Sequence, residues 1–216
     1  MAYPNFLANE LVALVRSNRF WMTWNLLLAA VPALLALVLF ARAHRRTAAW
    51  WAGVVVFTLF LPNAPYVVTD LIHLRGDAAQ VGSDGVVVAG VLPLYGAFIT
   101  TGLLLYVLCT ELILREVRTV RPQAPRWQVE GGTHLVCAIG IMLGRVARLN
   151  SWDTVTAPTG TVERMLTAFT WWGAPVATVA IMLAIWASHL VVRTLAFALA
   201  DAVGGQLRRW GVVPLS

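Results

Sequence analysis

Lysine is absent from the chain, acidic residues number only 10 against 16 basic ones, and there are two cysteines. Charged residues make up 12% of the 216 positions, where a soluble domain carries roughly 25%. With 59% hydrophobic residues and a mean hydropathy of +0.74, that deficit excludes an ordinary soluble domain and places the chain in a membrane. The net charge of +6 is carried wholly by arginine. A basic excess can signal nucleic acid, but in a polytopic chain arginines first follow the positive-inside rule. The expected partner is therefore the lipid bilayer and not nucleic acid. Cys109 and Cys137 lie inside apolar runs, where a thiol behaves as a small hydrophobe, so no disulfide framework is expected. The sequence also lacks a nucleotide-binding loop, an H-E-x-x-H pair and a supported Ser-His-Asp arrangement, and no cofactor is expected. Without internal repeats or linkers, residues 1–216 read as a single integral membrane domain.

What is present is a series of uncharged runs. About 20 apolar residues at about 1.5 Å each cross a hydrocarbon core of about 30 Å. The runs predict an all-α, polytopic fold of about five transmembrane helices, near 20–41, 47–69, 85–112, 131–149 and 168–193. The fourth is the weakest, because Gly131–Gly144 is short and closed by Arg145 and Arg148. Glu10, Arg16 and Arg19 ahead of the first run, with no small-residue cleavage site after it, argue against a cleaved signal peptide. Between Asn5 and Asn18, Phe6, Leu7, Leu11, Leu14 and Val15 share one face, the pattern of an interfacial helix.

Five spans put the termini on opposite sides. Arg42, Arg45, Arg46, Arg115, Arg118, Arg121, Arg126, Arg193, Arg208 and Arg209 fall on one side, and the six other arginines, offset by acidic residues, on the other. The positive-inside rule then places the amino terminus outside and the carboxyl terminus in the cytoplasm of a multi-pass cell-membrane protein.

The second span should break. Pro62 and Pro65 lack amide donors and push Leu61 and Ala64 out of the α region. Asn63 is placed to cap the next segment, with Pro65 in its first turn. There Tyr66, Asp70 and His73 follow helical spacing and share a face. Freed backbone groups are tolerated in lipid only where protein or water satisfies them, and discontinuous helices of this kind form ligand sites in transporters.

A second concentration of polar chemistry closes the fourth span. His134, Cys137, Gly140, Ile141, Gly144, Arg145 and Arg148 occupy one helical stripe. Gly140 and Gly144 permit close packing, so the arginines beside them should face protein. Arginine at the bilayer centre costs about 2.5–3.5 kcal/mol on insertion scales, so it pairs or lines a polar cavity. Asp70 and Asp153 are the expected partners, on the same outer side. His189 and Glu111 lie near predicted inner ends, where snorkelling accounts for them.

The motifs Leu61-Pro62-Asn63-Ala64-Pro65-Tyr66, Thr69-Asp70-Leu71-Ile72-His73-Leu74, Gly144-Arg145 and Arg148-Leu149-Asn150-Ser151-Trp152-Asp153, with Trp24-Asn25 opening the first span, resemble the signatures of a bacterial membrane family, domain of unknown function 1361. Two departures are a first segment, residues 1–18, too short and polar to span, and Leu149 where an aromatic is usual. The resemblance implies a polytopic protein of the bacterial inner membrane and supplies no activity. Three functions fit the residues. Asn63, Tyr66, Asp70, His73, Arg145, Arg148, Asn150, Trp152 and Asp153 can form an outer site that binds or transports a small anionic ligand, since a helix amino terminus beside arginines suits an anion. They can serve an enzyme acting on lipid or envelope precursors, Asp70, His73 and Asp153 being weak metal candidates. Or Asp70 and Arg145/Arg148 can be an ion-pair clasp with a purely structural role.

Overall fold

The structure is a computed structural model that describes residues 3–42, 45–81, 84–146, 156 and 158–209. Its helices are α1 (Tyr3–Phe40), α2 (Ala48–Phe60), α3 (Asn63–Tyr66), α4 (Leu71–Gln80), α5 (Asp84–Val86), α6 (Leu92–Val120), α7 (Arg126–Val146), α8 (Pro158–Thr170) and α9 (Ala174–Arg209). A 3-10 turn, Val67–Asp70, joins α3 to α4, and a π turn, Val87–Val91, joins α5 to α6. No strand occurs among the described residues.

Four stretches are long and apolar enough to cross a membrane: Asn9–Phe40, Ala48–Gln80, Asp84–Val120 and Ala174–Gly205. The fifth element, α7, has 21 residues and so a length of about 31 Å, but Arg126, Glu130, His134 and Arg145 interrupt its apolar character. Protein covers it instead: α7 packs on α9 and α6 and buries His134, Cys137, Ala138, Ile141 and Met142. The expected all-helical membrane architecture is present.

Several boundaries differ from the sequence expectation. The amino-terminal segment is no separate interfacial helix, because α1 runs unbroken through Arg16 and Arg19. Its Leu14 is buried with Val91 and Tyr95, so that part of its apolar face is covered by protein. Arg115 and Arg118 belong to α6, which continues until Val120, just before Pro122. A charge ends an apolar run, but only a lost donor or a cap ends a helix. The fifth span, expected near 168–193, is α9, which begins at Ala174 and runs on to Arg209, and the preceding α8 is a separate helix divided from it at Trp171–Gly173. A side chain at Gly173 would lie 2.4 Å from the Trp171 ring, and Pro175 is tolerated in the first turn of α9.

The core is built on close approach. Ala29, Ala33 and Ala36 of α1 are buried against Tyr106 and Cys109 of α6, Cys137 and Ile141 of α7 and Ile185 of α9. Both cysteines are free and buried, as small hydrophobes should be. The broken segment enters between α6 and α7 through two glycines. A Cβ at Gly102 would lie 2.5 Å from Val67 Cγ2, and one at Gly140 would lie 2.4 Å from Pro62 Cγ. Gly140 thus accepts a rigid ring that cannot move aside. Gly140→Val is expected to destabilise the protein by about 1–3 kcal/mol, the usual range for overpacking. Gly132→Val, on the same helix where a Cβ meets nothing within 4 Å, is the control. Thermal melts of the two purified variants check this, and equal melting temperatures would refute it.

Candidate functional site

The break in the second span is a local consequence of its prolines, but it is a tightened turn and not the expected exit from the α region: Leu61 keeps helical dihedrals, φ −52° and ψ −39°, and Ala64 lies within α3. Pro62 cannot donate, and the Ala64 amide bonds to Leu61 O at 3.2 Å, three residues back, in place of the fourth-residue bond to Phe60. The Phe60 carbonyl left over accepts from Asn63 Nδ2 at 2.8 Å. Asn63 therefore closes the end of α2 and does not cap α3, whose N-cap is Pro62. The expectation of a forward cap is corrected: tightening at Leu61 leaves the needy acceptor behind Asn63. The chain then runs through α3 and the 3-10 turn, which orients Thr69 and Asp70 toward α7.

At that turn three elements meet. Asp70 is 2% exposed. Its Oδ1 accepts from Arg145 Nη2 at 2.6 Å, and its Oδ2 accepts from Asn25 Nδ2 of α1 at 2.8 Å. Arg145 also donates from Nε and Nη2 to Thr69 Oγ1, at 3.1 and 2.6 Å. Thr69 can accept because its own hydroxyl donates to Tyr66 O at 2.7 Å. The guanidinium carbon stands 4.3 Å from the centroid of the Tyr66 ring, within the range of a cation–π contact. The Arg145 side chain keeps 29% of its surface exposed against 3% for Asp70. The carboxylate is enclosed and doubly bonded, while the guanidinium is held in place with an edge open.

Tyr66 and Asp70 of the expected face thus meet Arg145, one of the arginines expected from the fourth span. His73 is not part of the ion pair: it is exposed on α4, its ring against Trp21 of α1 at 5.2 Å between centroids. Arg148, Asn150, Trp152 and Asp153 lie outside the described residues. Among the described residues no three His, Cys, Asp or Glu side chains gather as metal ligands would.

Sequence reasoning missed Asn25 and Thr69 as members of this cluster. It also missed a second polar cluster toward the arginine-rich end of the bundle. There Tyr106 Oη meets His134 Nδ1 at 2.7 Å, and His189 Nε2 meets Thr110 Oγ1 at 2.9 Å. Since the Thr110 hydroxyl donates to Val107 O, it accepts from His189, which assigns the ring proton to Nε2. The imidazoles lie 4.9 Å apart. His134 Nε2 is buried without a partner among the described residues. Beyond them, Glu130 Oε1 accepts from Arg126 at 3.1 Å and Arg193 at 3.0 Å, and Arg126 also grips both oxygens of Glu111. His189 is 1% exposed and so is not a snorkelling side chain, whereas Glu111 is part-exposed and paired with Arg126. The signal was present, since ionisable residues inside spans normally find one another.

The comparison with known families covers the residues of the Asp70 cluster. A match to the family described as protein of unknown function (DUF1361) covers residues 24–189. The chain belongs to that family. The DUF1361 match takes in Asn25, the broken second span, Arg145, His134 and His189. No curated protein and no solved structure matches the chain. DUF1361 membership carries no activity with it, and the apolar helices fit an integral membrane protein.

Proposed function

We propose that the Asp70 end of the bundle recognises a small anionic group, a carboxylate or phosphate, on a ligand that this DUF1361 protein binds or transports, and that Arg145 is the residue that meets it. The observation that carries this is the contrast within the ion pair. Asp70 is enclosed and uses both oxygens, whereas Arg145 is fixed through Nε and Nη2 yet 29% exposed. A guanidinium held over Tyr66 and bonded to Thr69 and Asp70 has lost rotamer freedom in advance, which lowers the entropy lost on binding, and its fork matches carboxylate and phosphate geometry. In this reading the Asp70 end faces the outside of a cell membrane and the arginine-rich end the cytoplasm, in keeping with the positive-inside rule.

The double use and burial of Asp70 also favour a second reading, a clasp that only joins α1, the broken span and α7. The two separate in an anion titration at constant ionic strength, with inorganic phosphate and acetate exchanged for chloride. A ligand at a hundred times its Kd stabilises by about 2.7 kcal/mol. The wild type should gain thermal stability in one of these anions, and Arg145→Lys, which keeps the charge but loses the fork, should not. Responses no larger than in chloride, or equal in both proteins, would leave only the clasp.

A further inference from the structure

The opposite end of the bundle carries a groove of about 740 Å³ between α2, α6 and α7, in the size range of ligand sites. Its walls include Val54, Phe57, Leu61, Ile113 and Val136, and Arg46 and Arg121 also line it. Trp51 lines it as well and is 55% exposed, as tryptophans at a membrane interface are. From Trp51 to Leu61 the helix rises about 15 Å, half of a hydrocarbon core of about 30 Å. The groove therefore has the depth of one leaflet. Arg46 is set in position by Glu116 Oε1, at 3.1 and 2.7 Å, and by Thr119 Oγ1 at 2.7 Å. Glu116, which also lines the groove, offsets the charge of Arg46, and exposed Arg121 leaves the three groups with a net charge of +1.

We infer that this groove is a binding site for one anionic phospholipid, its acyl chains against Phe57 and Leu61 and its phosphate at Arg46 and Arg121. The occupant follows from the surroundings. A groove on membrane-spanning helices opens onto lipid, its depth equals one leaflet, and its net positive charge, Arg46 and Arg121 against Glu116, complements an anionic headgroup as basic pockets between helices do. The inference is independent of the Asp70 end.

The test is native mass spectrometry of the purified full chain, offered equal amounts of phosphatidylglycerol and phosphatidylcholine. The wild type should retain a single phosphatidylglycerol, favoured by about fivefold, the ratio that about 1 kcal/mol from one arginine near the surface gives. Arg121→Gln should reduce that preference severalfold. Gly132 lines the groove, and a Cβ there meets nothing within 4 Å. Gly132→Phe should therefore obstruct the groove and reduce the retained lipid severalfold while the helical circular dichroism stays unchanged. Equal retention of both lipids would overturn the proposal. So would wild-type retention by Gly132→Phe, or a dimer that Gly132→Phe dissociates, which would make a second copy the occupant.

Discussion

Arg145→Met should lower the stability of the purified protein by about 3–5 kcal/mol, the range for breaking a buried ion pair from one side. The group left behind is the Asp70 carboxylate, which is 3% exposed and would keep only Asn25 as a partner. Asp70→Asn should cost less. It leaves behind a guanidinium that is already 29% exposed and retains Thr69 and the Tyr66 ring. The asymmetry follows from which charge is enclosed, since an unpaired buried ion carries its full desolvation penalty. Melting temperatures of the two variants in one detergent check the order. Equal losses would mean that solvent reaches Asp70 as readily as Arg145.

The second large effect is expected at the other end. Glu130→Leu should destabilise by about 3 kcal/mol, the lower end of that same range. Its Oε1 is shared by Arg126 from one turn earlier on α7 and by Arg193 from α9, so a single carboxylate ties two helices. The loss is softened because the arginine side chains are 35% and 21% exposed, and Arg126 keeps its bidentate contact with Glu111. Glu116→Leu is the comparison. That residue pairs with Arg46 on the surface, where both side chains are more open, and surface pairs contribute about 0–1 kcal/mol. Chemical or thermal unfolding of both variants distinguishes them, and a smaller loss at Glu130 than at Glu116 would contradict the assignment.

Much of this arrangement is legible in the residues themselves. Hydropathy alone places the four long apolar helices, because a span must be both apolar and long enough. The break at Pro62 and Pro65 follows from two missing donors. The pairing of Asp70 with Arg145 follows from the cost of leaving either alone in a membrane. Helix ends are less legible, because Arg16, Arg19, Arg115 and Arg118 end hydrophobic runs without ending α1 or α6. The direction of the Asn63 hydrogen bond depends on which carbonyl the tightened turn leaves unpaired, and that is a matter of geometry. Asn25 carried a signal, a carboxamide inside an apolar span beside Trp24. Its partner could not be named until α1 was placed against the broken helix. The Tyr106–His134 and Thr110–His189 contacts depend likewise on the rotational setting of α6, α7 and α9, which no single-helix pattern specifies.

The central claim is that Asp70 and Arg145 act as one unit joining the broken span to α7. A double-mutant cycle over Asp70→Asn, Arg145→Met and the double variant measures it. Distant independent sites add within about 0.3–0.5 kcal/mol, and coupled contacts deviate by about 0.5–3 kcal/mol. The account predicts a double variant more stable than the sum of the single losses by at least about 1 kcal/mol, because replacing both partners removes the unpaired carboxylate and the unpaired guanidinium together. Additive losses would show that the two side chains do not depend on each other and would contradict it.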